Sequence, residues 1–294
     1  MKRGFDIAAY CARIGYDGAL APTRVVLDAL HLAHATSIPF ENVDVVLGRP
    51  IRLDLESVQA KLVAGGRGGY CFEHNTLFAA ALEVAGFDVH RLAARVRIGA
   101  SVVRPRTHML LAVEIDGVIV IADVGFGADG LLLPVPLAST NPTRQFAWTY
   151  RVTAEGSGVH VMQAFTDGGW RDLYAFTLEP QFAVDFELAN WYTSTHPQSR
   201  FVQTLTAQRL STKRRIALRD LELTEDDGSN IRTRQLAGAD EQRRTLVEMF
   251  GIALPDDVQL PPVVVPAQAG TQWRSTQDAG FPPKPVPSKV EGRE

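Results

Sequence analysis

The sequence predicts an α+β protein in three successive folded parts: a helical N-terminal third, a middle region of short antiparallel strands, and a mixed α/β segment. Two observations carry this: the apolar residues keep a helical period before Gly86 and a two-residue period after it, and turn dipeptides cut the middle region at short intervals.

In the helical part, TRVVLDALHLAHATS from Thr23 to Ser37 places Val26, Leu27, Leu30 and Ala33 on one face, with Thr23 as its N-cap. A second helix starts near Cys71, runs through Phe72, Phe78, Ala79 and Leu82, and stops at Gly86, where left-handed backbone is tolerated. Cys11, among Ala8, Ala9 and Ile14, is assigned a structural place on a short helix. Residues 1–86 are expected to form the helical domain.

Beyond Gly86, His90, Leu92, Ala94, Val96 and Ile98 alternate with Val89, Arg91, Ala93, Arg95 and Arg97, which is the rhythm of a strand. Asp116-Gly117, Glu155-Gly156-Ser157-Gly158 and Asp167-Gly168-Gly169 mark turns, so residues 87–178 read as a small antiparallel barrel or sandwich. Residues 179–255 mix helix-like FAVDFELANWY, strand-like FVQTLTAQRL and RRIALRDLEL, and a last helix from about Asp240 to Phe250. Residues 256–294 are rich in Pro and Gly, lack a sustained period, and are expected to be a disordered tail.

Composition narrows the function classes. With 46% hydrophobic and 21% charged residues the chain is globular, and a net charge of −3 gives no electrostatic footing for nucleic acid. No window approaches the roughly 18 consecutive apolar residues of a membrane helix, and the N-terminus lacks the apolar core of a secretory signal, so a soluble cytoplasmic protein is expected. The two cysteines cannot build a disulfide framework. In a reducing compartment a lone thiol is either a small buried hydrophobe or a nucleophile.

Cys71 stands in RGGYCFEHN, after a glycine pair and at a helix start. There a thiolate is favoured, and the free amides of the first turn can hold an oxyanion. A buried structural cysteine fits the same stretch. The segment from Thr107 to Gly127, THMLLAVEIDGVIVIADVGFG, supplies a second clue: two apolar strands joined by Asp-Gly. With a two-residue loop Ile115 faces Val118 and Leu110 opposes Asp123. His108, on the same face as Leu110, then becomes a diagonal neighbour of Asp123, roughly 7–8 Å away at the backbone. A carboxylate there can orient the imidazole, as a base-plus-orienter pair requires. A core histidine beside a structural aspartate fits the hairpin too, and a three-residue loop would undo the register.

Other signals are weak. AGGRGGY lacks the Lys-Ser/Thr ending of a phosphate loop. Cys71 with His74, or His31 with His34, lacks further ligands at metal-site spacing, so no metal is expected. His31 and His34 are assigned to a helix surface and its edge, and Trp191 and Tyr192 to core or lid packing.

Taken in order, RGGYCFEHN, THMLLAV and DVGFG resemble the arylamine N-acetyltransferase family. The likeness spans about residues 5 to 255 and includes Ile38-Pro-Phe-Glu-Asn-Val43 and Asn190-Trp-Tyr-Thr-Ser-Thr-His-Pro-Gln-Ser-Arg-Phe201. The resemblance implies a helical first domain, a β-barrel second domain and an α/β lid, with a cysteine-protease-like triad. In it Cys71 is the acetylated nucleophile, His108 its base and Asp123 the residue that orients His108. It implies that Glu41 and Arg67 form a supporting internal ion pair. It also implies that Phe126 lines the acceptor pocket, and that Thr107, Phe126 and Gly127 contact coenzyme A, Gly127 by allowing close approach. The implied reaction is ping-pong transfer from acetyl-CoA to an arylamine, arylhydrazine or N-hydroxyarylamine, without a metal. A related amide-forming acyltransferase, a thiol hydrolase with the same three residues and a non-catalytic binding module stay open, as do the acyl length and a homodimer.

Overall fold

The computed structural model describes residues 4–127, 129–139, 141–166, 168–255, 257–260 and 274–275. The expectation of a disordered tail therefore falls almost wholly outside the described residues.

Local signals set the N-terminal elements. Helix α1 (Ile7–Ile14) starts at Asp6, whose carboxylate accepts from the Ala9 amide, and ends at Gly15 in the left-handed region. Helix α2 (Arg24–Ser37) is capped by the Thr23 hydroxyl and buries Leu27, Leu30, His31, His34 and Ala35. Strand β1 (Phe40–Glu41), α3 (Val43–Val46) and α4 (Leu55–Gln59), which runs on into a π-helical turn over 60–64, lead to α5 (Cys71–Val84). Helix α5 is buried on nearly every side, from Cys71 through Asn75 and from Leu77 through Leu82. It has no polar face because it is the central helix, packed against α1, α2 and α4 and against two strands of the barrel.

Eight antiparallel strands follow: β2 (Asp88–Val96), β3 (His108–Ile115), β4 (Val118–Ala122), β5 (Val135–Pro136), β6 (Thr143–Gln145), β7 (Trp148–Gly156), β8 (Val159–Thr166) and β9 (Gly169–Phe176). Their order is β5-β4-β3-β2-β9-β8-β7-β6, and the sheet curls into a nearly closed barrel. The buried Gln145 side chain of β6 spans the gap, accepting from the Leu132 and Leu133 amides at 2.8 and 2.9 Å and donating to the Leu133 carbonyl. At the β3–β4 turn Asp116 and Gly117 both have positive φ, 52° and 75°, as a two-residue hairpin loop requires. Ile115 pairs with Val118 and Leu111 with Ala122, which is the register expected from the Asp-Gly signal.

The C-terminal part comprises α6 (Ala183–Thr195), α7 (Arg200–Gln203), β10 (Thr206–Leu210), β11 (Arg215–Arg219), β12 (Glu222–Asp226), β13 (Ile231–Gln235), α8 (Ala239–Glu248) and β14 (Arg274–Ser275). Phe201 to Gln203, expected as strand, form the helical turn α7, and the strand begins only at Thr206. A second, smaller core of Leu205, Ile216, Leu218, Leu246 and Phe250 holds α8 to this sheet. The sheet's first strand is β1, where Phe40 and Glu41 pair with Gln208 and Ala207. A division of the chain at residue 86 thus has one strand crossing it. Trp191, expected in packing, is 64% exposed, while Tyr192 stacks on His196. Among the described residues no helix is long and apolar enough to cross a membrane.

Candidate active site

The site forms where the start of α5 meets the open end of the β3–β4 hairpin. Gly68 and Gly69 let the chain reach it. A side chain at Gly68 would sit 2.0 Å from the Pro39 carbonyl oxygen, and one at Gly69 2.6 Å from the Glu73 carboxylate. With those positions bare, the strand residue Phe40 bridges to Gly69, and the Glu73 carboxylate accepts from the Tyr70 amide at 3.0 Å. Cys71 then opens the helix, buried, with its sulfur 3.6 Å from the Thr107 carbonyl oxygen.

From the barrel side, His108 is the first residue of β3 and Asp123 lies just beyond β4. His108 Nε2 donates to Asp123 Oδ2 at 2.7 Å. Nδ1 is therefore the ring nitrogen left to face Cys71, and the sulfur and the ring line the same cavity. Burial alone would depress the imidazole, but the Asp123 charge and hydrogen bond, with a smaller contribution from Cys71, raise it to about 10. Burial would likewise raise the Asp123 carboxyl. His108, then Asn75 and the Gly125 amide, hold it below its usual range instead. The structure thus brings Cys71, His108 and Asp123 together.

Three residues that hold Asp123 in place escaped sequence reasoning. Asn75, one helical turn after Cys71, donates from Nδ2 to the Met109 carbonyl at 2.7 Å and to Asp123 Oδ1 at 3.0 Å, clamping the hairpin to α5. Gly125 packs so tightly that an added Cβ would lie 2.8 Å from Cys71 Cα. His31 accepts from the Asp123 backbone amide at Nε2 (3.1 Å) and donates from Nδ1 to the Leu132 carbonyl (3.1 Å). The i, i+4 spacing of Cys71 and Asn75 was the one available signal for Asn75; the other two contacts have none.

The surface assignment of His31 and His34 is corrected: both are fully buried. Their face of α2 is covered because each ring finds polar partners inside, His31 at the Asp123 amide and the Leu132 carbonyl and His34 at His74 of α5, whereas a hydropathy period scores histidine as polar. The Tyr10 hydroxyl donates to His34 Nδ1 at 2.9 Å, His34 Nε2 faces His74 Nδ1 at 3.0 Å, and His74 Nε2 faces the Pro39 carbonyl at 3.2 Å. One neutral tautomer per ring satisfies this whole chain. Burial lowers His31 and His74 to about 4 and His34 well below its ordinary value.

Below the site, Arg67 Nε donates to Glu41 Oε1 at 2.8 Å, and the pair is buried. Lys61 joins Asp44 and Glu73 to it at 2.9 and 2.8 Å. Burial still pushes the Glu73 carboxyl up to about 6. Asn42 ties the same segment to the C-terminal part through the Phe201 and Thr204 carbonyls, and the Tyr70 hydroxyl donates to Asn190 of α6.

A cavity of about 140 Å³ opens onto the sulfur and the imidazole, with Phe40, Val96, Phe126 and Phe201 in its walls. Thr107 and Phe126 are on this wall. Gly127 is not among its lining residues. Its φ of +91°, and the Gln208 amide 1.7 Å from where a Cβ would stand, give that glycine a structural reason of its own. Among the described residues no group of three His, Cys, Asp or Glu side chains could hold a metal ion.

A family model described as N-acetyltransferase matches residues 25–258. The arylamine N-acetyltransferase of Mycolicibacterium smegmatis is 39% identical over 270 residues, covering 85% of this chain and 93% of that protein. Among solved structures, Nocardia farcinica arylamine N-acetyltransferase superposes at a TM-score of 0.81 with 42% identity, covering 86% of this chain and 91% of that one. Mycobacterium marinum arylamine N-acetyltransferase in complex with CoA does so at 0.80 with 35% identity, covering 84% and 93%.

Proposed function

Because the chain belongs to the arylamine N-acetyltransferase family, we propose that it moves an acetyl group from acetyl-CoA to an aromatic amine, arylhydrazine or N-hydroxyarylamine through an acetyl-Cys71 intermediate. One observation carries the reading: a buried carboxylate 2.7 Å from Nε2 orients the His108 imidazole, and that ring and Cys71 line one cavity. A raised His108 holds its proton beside the sulfur, and a neighbouring imidazolium favours the thiolate form that acts as nucleophile.

Cys71 Sγ attacks the thioester carbonyl, and the amides of the first turn of α5 are the candidate donors to the oxygen that becomes negative. The carbon–sulfur bond to coenzyme A breaks, the leaving sulfur takes the His108 proton, and neutral His108 remains beside acetyl-Cys71. The acceptor nitrogen then attacks, His108 takes its proton, and Cys71 leaves as thiolate. One thioester is exchanged for another in the first half, so little driving force is lost before the amide forms.

Acceptor choice follows from charge and shape. An arylamine is weakly basic and stays unprotonated at neutral pH, whereas an alkylamine is mostly an unreactive cation. Phe40, Phe126 and Phe201 in the cavity wall suit a flat ring. Glu41 and Arg67 serve as support, and Thr107 and Phe126 as contacts for the donor or the acceptor. The M. marinum structure holding CoA supports the donor assignment.

The test is intact mass after incubation with acetyl-CoA and no acceptor. A stable single-acetyl adduct that is lost in Cys71→Ala and discharged by an arylamine is expected. A folded Cys71→Ala protein that still transfers acetyl would refute the nucleophile assignment.

A further inference from the structure

The β4–β5 loop, which carries Phe126 and Asp129 into the cavity wall, is held from behind by a residue of the C-terminal sheet. Arg215, at the start of β11, is 5% exposed, and its guanidinium donates to the Gly130 carbonyl at 3.1 Å. It also donates to the Tyr150 hydroxyl of β7. That hydroxyl donates in turn to the same Gly130 carbonyl at 2.8 Å, with the Asp129 carbonyl 3.3 Å away. Neither Arg215 nor Tyr150 lines the cavity.

Stability does not account for a guanidinium at this place. Asp226, its neighbour across the β11–β12 ladder, accepts instead from Trp148 Nε1 at 3.1 Å and from the Gly228 amide at 2.7 Å. Arg215 Nε is buried without a partner, and the charge rests on the Trp148 ring, 3.9 Å away, and the Tyr150 ring, 5.8 Å away. A buried cation without a carboxylate costs folding energy that an apolar side chain of similar volume would avoid. What an apolar side chain could not supply is the pair of donors to the Gly130 carbonyl and the Tyr150 hydroxyl. The surface from which Arg215 reaches them is itself fixed, because the β12–β13 turn presses on the barrel at Gly228, where an added Cβ would stand 2.3 Å from Ala147 Cβ. Few bonds then separate Gly130 from the reacting groups: its amide donates to the Gly127 carbonyl at 2.7 Å, and Phe126, one residue earlier, sets its ring 5.1 Å from the His108 ring.

We infer that Arg215 is a positioning residue for acceptor selectivity: acting through Tyr150 and Gly130, it sets where the wall carrying Phe126 and Asp129 stands, and so which aromatic rings fit beside Cys71. The inference rests on the proposed transfer to aromatic amines and adds the residue that fixes the size of ring accepted. Guanidinium suits the task because its planar fork can serve two acceptors at once from one rigid group. Arg215 touches neither the acyl group nor the amine; it acts on the fit of the acceptor.

Steady-state transfer from saturating acetyl-CoA is measured with aniline, which has one ring, and 2-naphthylamine, which has two fused rings, for the wild-type protein, Tyr150→Phe, Arg215→Met and Arg215→Lys. Tyr150→Phe removes one oxygen and Arg215→Met removes the donors, while both keep most of the buried bulk. In each, KM for 2-naphthylamine should rise about fivefold relative to KM for aniline, the effect of one hydrogen bond lost from the wall, while the two kcat values keep their ratio. Arg215→Lys keeps the charge and one donor and should recover part of the shift. A residue that only stabilised the fold would lower kcat equally for both amines, in proportion to the protein that still takes up acetyl by intact mass. That outcome overturns the positioning role, as does an unchanged KM ratio in Tyr150→Phe and Arg215→Met. If Arg215→Met does not accumulate as folded protein, the KM ratio of Tyr150→Phe decides. Wild-type protein that acetylates neither amine would overturn the arylamine reading itself, and the positioning role with it.

Discussion

Acidification should destabilise this protein through imidazoles that take no part in the proposed chemistry. His31 and His74 are buried and neutral, with values lowered to about 4 by burial, against about 6.5 in an unfolded chain. Between those limits the unfolded state binds more protons than the folded one. The stability they confer is therefore whole above about pH 6.5 and is lost as pH falls toward 4. From pH 7 to pH 5 each ring removes about 2 kcal/mol, or about 4 for the two. Glu73, raised to about 6, and His108, raised to about 10, have the opposite sign, because each binds its proton more tightly when folded. Over the same interval they return about 1 kcal/mol each. The net loss is about 2 kcal/mol, and His34, also lowered, adds to it in the same direction. Urea unfolding at pH 7 and pH 5 measures the difference, with His74→Gln as the perturbation. Glutamine has no proton to gain in this window, so the variant, although less stable at pH 7, should lose about 2 kcal/mol less than wild type on acidification. Equal pH dependence in the two proteins would refute the assignment of a neutral, buried His74.

Two further outcomes follow from the site. Asp123→Asn keeps a side-chain oxygen for the Asn75 and Gly125 donors but removes the charge that holds His108 protonated; turnover should fall on the order of 10³-fold, together with the iodoacetamide reactivity of Cys71 at pH 7, and near-normal rates would count against the orienting role. Arg67→Ala leaves Glu41, fully buried, without its principal cation; a loss of about 3–5 kcal/mol is expected in chemical denaturation, and a change under 1 kcal/mol would show that Lys61 alone neutralises the network.

The legible parts of the molecule were those governed by neighbours in sequence. An Asp-Gly turn between two apolar runs specifies a register, and the register places His108 beside Asp123. A glycine pair before an apolar run specifies where α5 begins. Periodicity, however, reports which face of an element is apolar and says nothing of which partner covers it. Helix α5, buried on nearly all sides, gives no amphipathic signal at all. His31 and His34 score as polar and were assigned to the surface, yet their ring nitrogens are satisfied inside. Trp191 scores as core and is exposed, since the face of α6 that is covered is chosen by Phe186 and Asn190.

By itself the sequence determined the longer helices and the hairpin with its register, because turn chemistry, caps and alternation act over a few residues, while the grouping of Cys71 with His108 and Asp123 came from the family resemblance. The tertiary structure alone decided that Cys71 and His108 line one cavity, that β1 joins a sheet completed by strands from β10 onward, and that the helical part, the barrel and the C-terminal part all supply walls to that cavity. Those contacts join segments that no local pattern links, and they form only when burial of the shared core draws helix, barrel and C-terminal sheet together.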